Sequence, residues 1–92
     1  MTNNAGILNV DYNLKVIWIN DREVKLTPKR WNLFCYLADN KNRYVTTEEL
    51  WNRLWGDEHQ RGVVKWQASQ LRRAIAPIAL EYRSQHGWRL HV

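Results

Sequence analysis

The sequence is poor in several residue types that other protein classes require. It has one cysteine, Cys35, so an intramolecular disulfide is excluded and the fold does not depend on an oxidising compartment. With 4 Gly, 2 Pro and 45% hydrophobic residues, the composition is that of a globular rather than a disordered chain. Apolar runs such as Val16 to Ile19 are too short for a membrane span or a signal peptide. We therefore expect a cytoplasmic domain that makes no membrane contact through this segment.

Catalytic and cofactor motifs are missing as well. The sequence has no glycine-rich phosphate loop and no nucleophile elbow, and its three histidines have no companion cysteine at zinc-binding spacing. At 92 residues the chain makes one domain, which excludes a two-domain enzyme with a cleft between its lobes. The sequence thus predicts no catalytic residue, no metal site, no cofactor and no enzymatic activity.

What the sequence does contain is an uneven distribution of charge. Residues 1–60 carry eight basic and eight acidic side chains, whereas residues 61–92 carry six basic ones against Glu81 alone. The whole formal net charge of +5 therefore lies in the last third of the chain. This segregation indicates a surface that faces a polyanion, most often nucleic acid, although a solvated basic face without a partner explains the charge alone equally well.

Residues 1–26 are predicted to form three short antiparallel strands. Apolar residues from Ile7 to Val10 precede a polar turn at residues 11–13, and a β-branched and aromatic run follows over residues 14–19. A second turn is expected at residues 20–22, because Asn and Asp tolerate left-handed φ. Residues 23–26 then alternate between polar and apolar, as a half-buried strand does.

Three helices are predicted over residues 27–39, 46–55 and 63–76. Thr27 and Pro28 supply an N-cap and a preorganised first position, while Thr46 and Glu49 fit a capping box in which each satisfies the other's free N–H group. Pro77 ends the third helix. The inward stripe of the first helix is predicted to be Trp31, Phe34, Cys35 and Ala38, widened by Leu33 and Leu37. One core cluster is expected to contain Trp31, Phe34, Leu50, Leu54, Val64, Leu71 and Trp88.

The outer side of the third helix is the candidate site. The inward side of this helix carries apolar residues at helical spacing, namely Val64, Ala68, Leu71 and Ile75. The outer side is basic, amide-bearing and aromatic, and it has no acid; its residues are Lys65, Trp66, Ser69, Gln70, Arg72 and Arg73. Residues 79–92 are predicted to form a β-hairpin with its turn at residues 84–87. The element order β-β-β, α-α-α, β-β predicts an α+β fold.

Motifs along almost the whole chain resemble those of the OmpR/PhoB-type winged-helix DNA-binding domain, in order and with matching element lengths. The matching residues are Leu26-Thr27-Pro28, Trp31, Leu33-Phe34, Arg43-Tyr44-Val45-Thr46, Glu48, Leu50, Trp55-Gly56, the helix Val64 to Ile75, and Gly87-Trp88-Arg89-Leu90 at the end. The resemblance implies a winged helix-turn-helix in a single domain over residues 1–92, with residues 79–92 as the wing.

The resemblance also implies a function and the residues that perform it. The domain would bind double-stranded DNA as the output module of a bacterial transcription regulator, with the third helix in the major groove and the wing on the flanking minor groove. The loop before the third helix can then contact RNA polymerase or a neighbouring copy. The expected DNA-binding residues are Arg61, Lys65, Trp66, Gln67, Ser69, Gln70, Arg72, Arg73, Arg83 and His86.

Individual roles follow from side-chain chemistry. Arg72 and Arg73 are expected to hold phosphates, and Gln67 and Gln70 to read base edges, adenine being the natural partner of an amide. Trp66 has two interpretations. Its ring either contacts a thymine methyl group or the sugar backbone, or it is partly buried and caps the contact between the helix and the loop before it.

The third helix and the wing depart from the family pattern. Ser69 and Gln70 stand where arginines are frequent, Lys65 stands where an acid is usual, and Ser84 takes the place of a wing arginine. We therefore expect a sequence preference different from that of typical relatives. The alternative is a winged helix used for protein–protein contact, with weak or no specific DNA binding.

The end of the chain carries a further expectation. It stops at Val92, the end of the last predicted strand, without a polar tail. From this we expect a covalently attached effector domain in the full-length protein. The alternative is a free-standing domain that gains specificity through dimerisation or tandem binding, because one module contacts only a short site.

Overall fold

In the computed structural model, which describes residues 8–56, residue 60 and residues 62–92, three strands are followed by three helices and two further strands. The elements are β1 (Leu8–Asp11), β2 (Val16–Ile19), β3 (Arg22–Lys25), α1 (Pro28–Asp39), α2 (Thr47–Leu54), α3 (Gly62–Ile75), β4 (Ala79–Arg83) and β5 (Gly87–His91). The predicted order is confirmed, and most boundaries shift by one or two residues.

The N-terminal sheet is an antiparallel meander in the order β1-β2-β3. Ile17 lies opposite Val10 and Val24. The predicted second turn is formed by Asn20 and Asp21, both with left-handed φ of 50° and 72°, which is the two-residue geometry that matches strand twist. Ile7, the predicted start of the first strand, lies outside the described residues.

The predicted start of the second strand at Leu14 is wrong, as is the assignment of Asp11 to the turn. Asp11 belongs to β1 and pairs with Val16, so residues 12–15 form the turn. Its carboxylate accepts hydrogen bonds from the N–H groups of Asn13 and Leu14, each at 3.0 Å, and Lys15 closes the turn with φ of 56°. The Asp11 side chain thus binds the N–H groups of Asn13 and Leu14 in a turn, although the apolar pattern alone predicts that Leu14 belongs to the second strand.

Two N-caps set the starts of the first two helices. The hydroxyl of Thr27 accepts a hydrogen bond from the N–H of Arg30 at 3.4 Å, and that of Thr46 accepts one from the N–H of Glu49 at 3.0 Å. The capping box is nevertheless only half formed, because the Glu49 carboxylate accepts hydrogen bonds from Arg43 and Tyr36 and not from Thr46. The prediction of mutual capping is therefore wrong for the bond from the Thr46 N–H to the Glu49 side chain.

One apolar cluster joins the helices to both sheets. Six of the seven predicted core residues are buried in it, and the seventh, Leu54, is partly buried against it. In α1 the fully buried residues are Leu33, Phe34 and Leu37, whereas Cys35 and Ala38 are half-buried. The prediction is thus confirmed for Trp31 and Phe34, while the other buried members of the stripe are Leu33 and Leu37, which the prediction placed at its margin. No helix in the described parts of the chain is long and apolar enough to cross a membrane.

The hairpin β4–β5 is held against the start of α2. Val45 and Trp88 exchange backbone hydrogen bonds of 2.8 Å in both directions. The indole N–H of Trp88 donates to the Thr47 hydroxyl at 3.3 Å. Gly87, at φ 108°, comes so close to the connector that a Cβ atom there would lie 2.1 Å from the Val45 carbonyl oxygen. The hairpin therefore has a fixed position relative to the helices.

Candidate nucleic-acid interface

The third helix has one side in the core and one side free. Val64, Ala68, Leu71 and Ile75 are each 0% exposed, which confirms the predicted inward stripe. Their spacing of four, three and four residues keeps them on one face of an α-helix. The side chains on the opposite face must therefore point away from the core.

The outer face carries the predicted site residues. Lys65, Trp66, Arg72 and Arg73 are exposed, and Ser69 and Gln70 are half-buried. Trp66 is 55% exposed, so its ring is partly buried and partly accessible, and both interpretations of it stay predictions. The segment Gly62–Ile75 contains no Asp or Glu. Positive charge on this face is therefore not neutralised from within α3, and the face attracts anions.

Gln67 lies at the edge of the outer face, towards α1. It is half-buried, and its side-chain oxygen accepts a hydrogen bond of 2.7 Å from the Nε–H of Arg30. Because arginine offers only donors, this contact requires the oxygen of the amide to face Arg30 and leaves the NH₂ group to donate elsewhere. The adenine contact expected of Gln67 uses both amide atoms, so Arg30 competes with it for the oxygen.

Arg30 is a functional candidate that the sequence reasoning missed. Besides its hydrogen bond to Gln67, its guanidinium lies 5.2 Å from the centroid of the Trp66 ring. It belongs to α1, and its position next to α3 depends on the packing of the two helices. Nothing in the local sequence around residue 30 signals that contact.

The hairpin lies beside the outer face of α3. The Lys65 ammonium is 5.8 Å from the centroid of the Tyr82 ring, which stands on β4 and is 39% exposed. The predicted wing residues Arg83 and His86 are exposed around the turn. The structure thus brings the start of α3 and the hairpin to one side of the molecule.

Tyr44 contacts three side chains of the hairpin. The guanidinium groups of Arg83 and Arg89 lie 5.3 and 5.6 Å from its ring centroid, and the ring of His86 lies 6.0 Å away edge-on. Arg89 also donates to the Lys41 carbonyl at 3.2 Å. Tyr44 and Arg89 were not among the predicted site residues, because only the fold brings the connector at residue 44 to the wing.

One acid is present on the hairpin. Glu81 hydrogen-bonds to His91 at 2.7 Å and to Arg83 at 3.4 Å. The hydrogen bonds from His91 and Tyr44 lower the pKa of its carboxyl group, so it stays ionised and offsets part of the charge of Arg83. The basic character of the site therefore rests more on α3 than on the hairpin.

Some predicted features fall outside the described residues. Arg61 is one of them, and so are residues 57–59 of the loop that was expected to contact RNA polymerase or a neighbouring copy. Within the ranges that the structure does describe, no three His, Cys, Asp or Glu side chains are grouped as a metal site requires.

A family model described as transcriptional regulatory protein, C terminal, matches residues 21–89 of the chain. In sequence, the chain is similar to the response regulator ArlR of Staphylococcus aureus, with 31% identity over 72 residues that make up 76% of this chain and 33% of ArlR. It is also similar to the transcriptional regulatory protein KdpE of the same species, with 35% identity over 51 residues, or 55% of this chain and 22% of KdpE. The chain thus aligns with about a third or less of these relatives.

In structure, the chain is similar to the DNA-binding domain of Klebsiella pneumoniae RstA in complex with the RstA box. The TM-score is 0.78 at 20% identity, and the match covers 97% of this chain and 95% of that one. At such an identity the likeness concerns the fold, and it confirms the predicted winged helix.

Proposed function

Because the chain belongs to the family of C-terminal domains of transcriptional regulatory proteins, we propose that it binds double-stranded DNA sequence-specifically as the output module of a bacterial transcription regulator. The family contains regulators and not enzymes. In this proposal α3 enters the major groove and the β4–β5 hairpin lies on the flanking minor groove.

The observation that carries the proposal is the outer face of α3. It offers Lys65, Arg72 and Arg73 as exposed cations, and the helix has no acid of its own. Basic and acidic side chains are equal in number over residues 1–60, so the net positive charge of the domain comes from the segment that contains α3 and the hairpin. A helix has the right width for the major groove, where the base edges differ from one pair to the next.

The position of the hairpin supports the second half of the proposal. Lys65 over Tyr82 joins the start of α3 to β4, so a duplex that holds α3 in its major groove passes next to the hairpin. Arg83 and His86 are exposed there and are suited to phosphates or to the minor groove. The similar RstA domain was solved in complex with its DNA box, which supports the same use of this fold.

Different side chains on α3 suit different tasks. Lys65, Arg72 and Arg73 are suited to phosphates, which supply most of the affinity but little sequence information. Gln70 and Ser69 lie between them and can donate to or accept from base edges. Arg61 precedes the helix and belongs to the same basic segment in the sequence.

Salt dependence of binding tests the proposal. If about five phosphates are neutralised, log K falls against log salt with a slope of roughly −4 to −5. Arg72→Ala and Arg73→Ala should each weaken binding to all duplexes and flatten the slope by about one unit. Lys25→Ala removes the same charge from the N-terminal sheet, where the side chain is 78% exposed, and should leave the slope unchanged. A folded wild-type domain that binds no duplex at about 50 mM salt contradicts the proposal.

The proposal extends to the full-length protein. Since the chain matches about a third or less of the length of ArlR and KdpE, a covalently attached partner domain is proposed for it. A cytoplasmic location follows from DNA as the ligand. Contact of the loop before α3 with RNA polymerase or a neighbouring copy belongs to the same proposal.

A further inference from the structure

Trp66 is an exposed aromatic residue at the centre of the outer face of α3. It lies two residues after Val64 and two before Ala68, both fully buried, and therefore points almost directly away from the core. Its ring is 55% exposed and is not part of the apolar cluster. A ring in this position contributes little to folding and is the first large apolar group that a ligand on this face meets.

A cation from the neighbouring helix lies over the ring. The guanidinium of Arg30 lies 5.2 Å from its centroid, and the Nε–H of Arg30 donates to Gln67 at 2.7 Å. The hydrogen bond restrains the guanidinium beside the ring, and cation–π attraction favours the indole orientation that faces it. Arg30 is itself half-buried on α1, so the arrangement is built on two packed helices.

The chemistry of the major groove says what such a ring can read. Its base edges present hydrogen-bond donors and acceptors and a single apolar group, the thymine C5-methyl. An indole ring is apolar over most of its surface and has one N–H donor, so it complements the methyl group and gains little from phosphates. Ser69 and Gln70, three and four residues further along α3, are uncharged, so neither position adds a cationic side chain beside the ring.

We propose that Trp66 is a specificity-determining residue that reads a thymine methyl group, and that Arg30 is the positioning residue that holds its ring. This inference rests on the proposed DNA binding. It assigns part of the sequence preference to the contact between Arg30 on α1 and Trp66 on α3. Gln67, whose oxygen accepts from Arg30, keeps its NH₂ group as a donor towards DNA.

The test uses a duplex selected by the wild-type domain from a randomised pool. Each thymine of the selected site is replaced in turn by deoxyuridine, which removes only the methyl group, and Kd is measured by fluorescence anisotropy. At one thymine per bound module, replacement by deoxyuridine should weaken wild-type binding about fourfold. This factor corresponds to the loss of one buried methyl group. In Trp66→Ala the same replacement should have no effect, since the two changes remove the same contact.

Arg30→Lys tests the positioning role. It keeps the charge but cannot hold the ring and the Gln67 oxygen with one planar group. The thymine-to-deoxyuridine ratio should fall below about twofold, while the salt slope stays that of the wild type. Lys25→Arg, on the N-terminal sheet, is the control for a basic exchange away from the site. Circular dichroism checks that the variants are folded. If Trp66→Ala is unfolded, Trp66→Gln takes its place.

The outcomes separate this inference from the proposed function. If the wild type binds no duplex, DNA binding itself fails. If it binds selectively but tolerates deoxyuridine at every position, selects a site without thymine, or keeps its methyl dependence in Trp66→Ala, the role of Trp66 is refuted while DNA binding stands. A full methyl dependence in Arg30→Lys refutes the positioning role of Arg30.

Discussion

Glu49 is the most strongly perturbed acid in the described part of the chain. Arg43 donates to both of its carboxylate oxygens, at 2.9 and 2.7 Å, and the Tyr36 hydroxyl donates a short hydrogen bond to the second oxygen. Hydrogen bonds from Arg43 and then from Tyr36 lower the pKa of Glu49 to about 2. The three residues join α1, the connector and α2, so this ion pair stabilises the region that supports the hairpin.

Acid titration should reveal this group. Its pKa in the folded state lies below the ordinary value of 4.5, so the stabilisation is complete above about pH 4.5 and is lost as the pH falls towards about 2. Glu49→Gln should lower the free energy of unfolding at pH 7 by about 1–3 kcal/mol and flatten its decline below pH 4.5. Urea melts at several pH values measure both.

The matched control is Glu23→Gln on β3, whose carboxylate meets Lys25 only at 3.8 Å. It should change stability by less than about 0.5 kcal/mol. Equal pH profiles for Glu49→Gln and the wild type would show that the Arg43 and Tyr36 contacts contribute nothing in solution.

Gly87 is required by its backbone conformation and by its neighbour. It has φ of 108°, and a Cβ atom would meet the backbone of Val45 and Thr46 at 2.1 to 2.7 Å. Gly87→Ala should therefore destabilise the domain by roughly 2–4 kcal/mol. Gly62→Ala, with nothing within 4 Å of the added carbon, should be neutral or slightly stabilising. Thermal melts of the two variants with the same transition temperature would contradict the placement of the hairpin.

At the scale of single residues, local chemistry could be predicted and distant partners could not. Thr27 and Thr46 cap their helices as expected, because a cap depends on residues within one turn. The carboxylate of Glu49 binds Arg43 and Tyr36, six and thirteen residues away. A charge-assisted pair with Arg43 is stronger than a bond to a neutral N–H group, and only the fold brings these partners together.

At the scale of elements, the packing of α1 on α3 supports the site. Phe34 and Leu71 are 1% and 0% exposed in the same cluster. Phe34→Ala or Leu71→Ala should each cost roughly 2–5 kcal/mol through lost burial and a residual cavity. Asn32→Ala, exposed on α1, is the control and should stay within about 0.5 kcal/mol of the wild type. Chemical denaturation measures the free energy of unfolding of each variant. A core variant as stable as Asn32→Ala would mean that the inward stripe of its helix is misassigned.

Helix positions were easier to predict than strand limits. A helix of 12 or 14 residues repeats its apolar pattern several times, and α1 also carries its own N-cap, Thr27. The strands have four or five residues, so one side-chain contact decides where they begin. Asp11 is such a case, since its bonds to Asn13 and Leu14 keep Leu14 out of β2.

At the scale of the whole molecule, the sequence predicted the basic face but not its internal contacts. Charge segregation and the stripe of α3 together point to the side that carries Lys65, Arg72 and Arg73. The contributions of Arg30 from α1 and of Tyr44 from the connector arise only when separate elements pack against α3 and the hairpin. The roles of individual side chains towards DNA stay predictions.

The measurement that tests the central claim most directly is a map of amide chemical shifts during titration of the ¹⁵N-labelled domain with duplex DNA. The claim places the duplex on the outer face of α3 and on the hairpin. The largest shifts should therefore fall within α3, from Gly62 to Arg73, and around the hairpin turn, from Tyr82 to Gly87, while β1, β2 and β3 stay unchanged. Shifts concentrated on the N-terminal sheet, or none at all at saturating DNA, would contradict it.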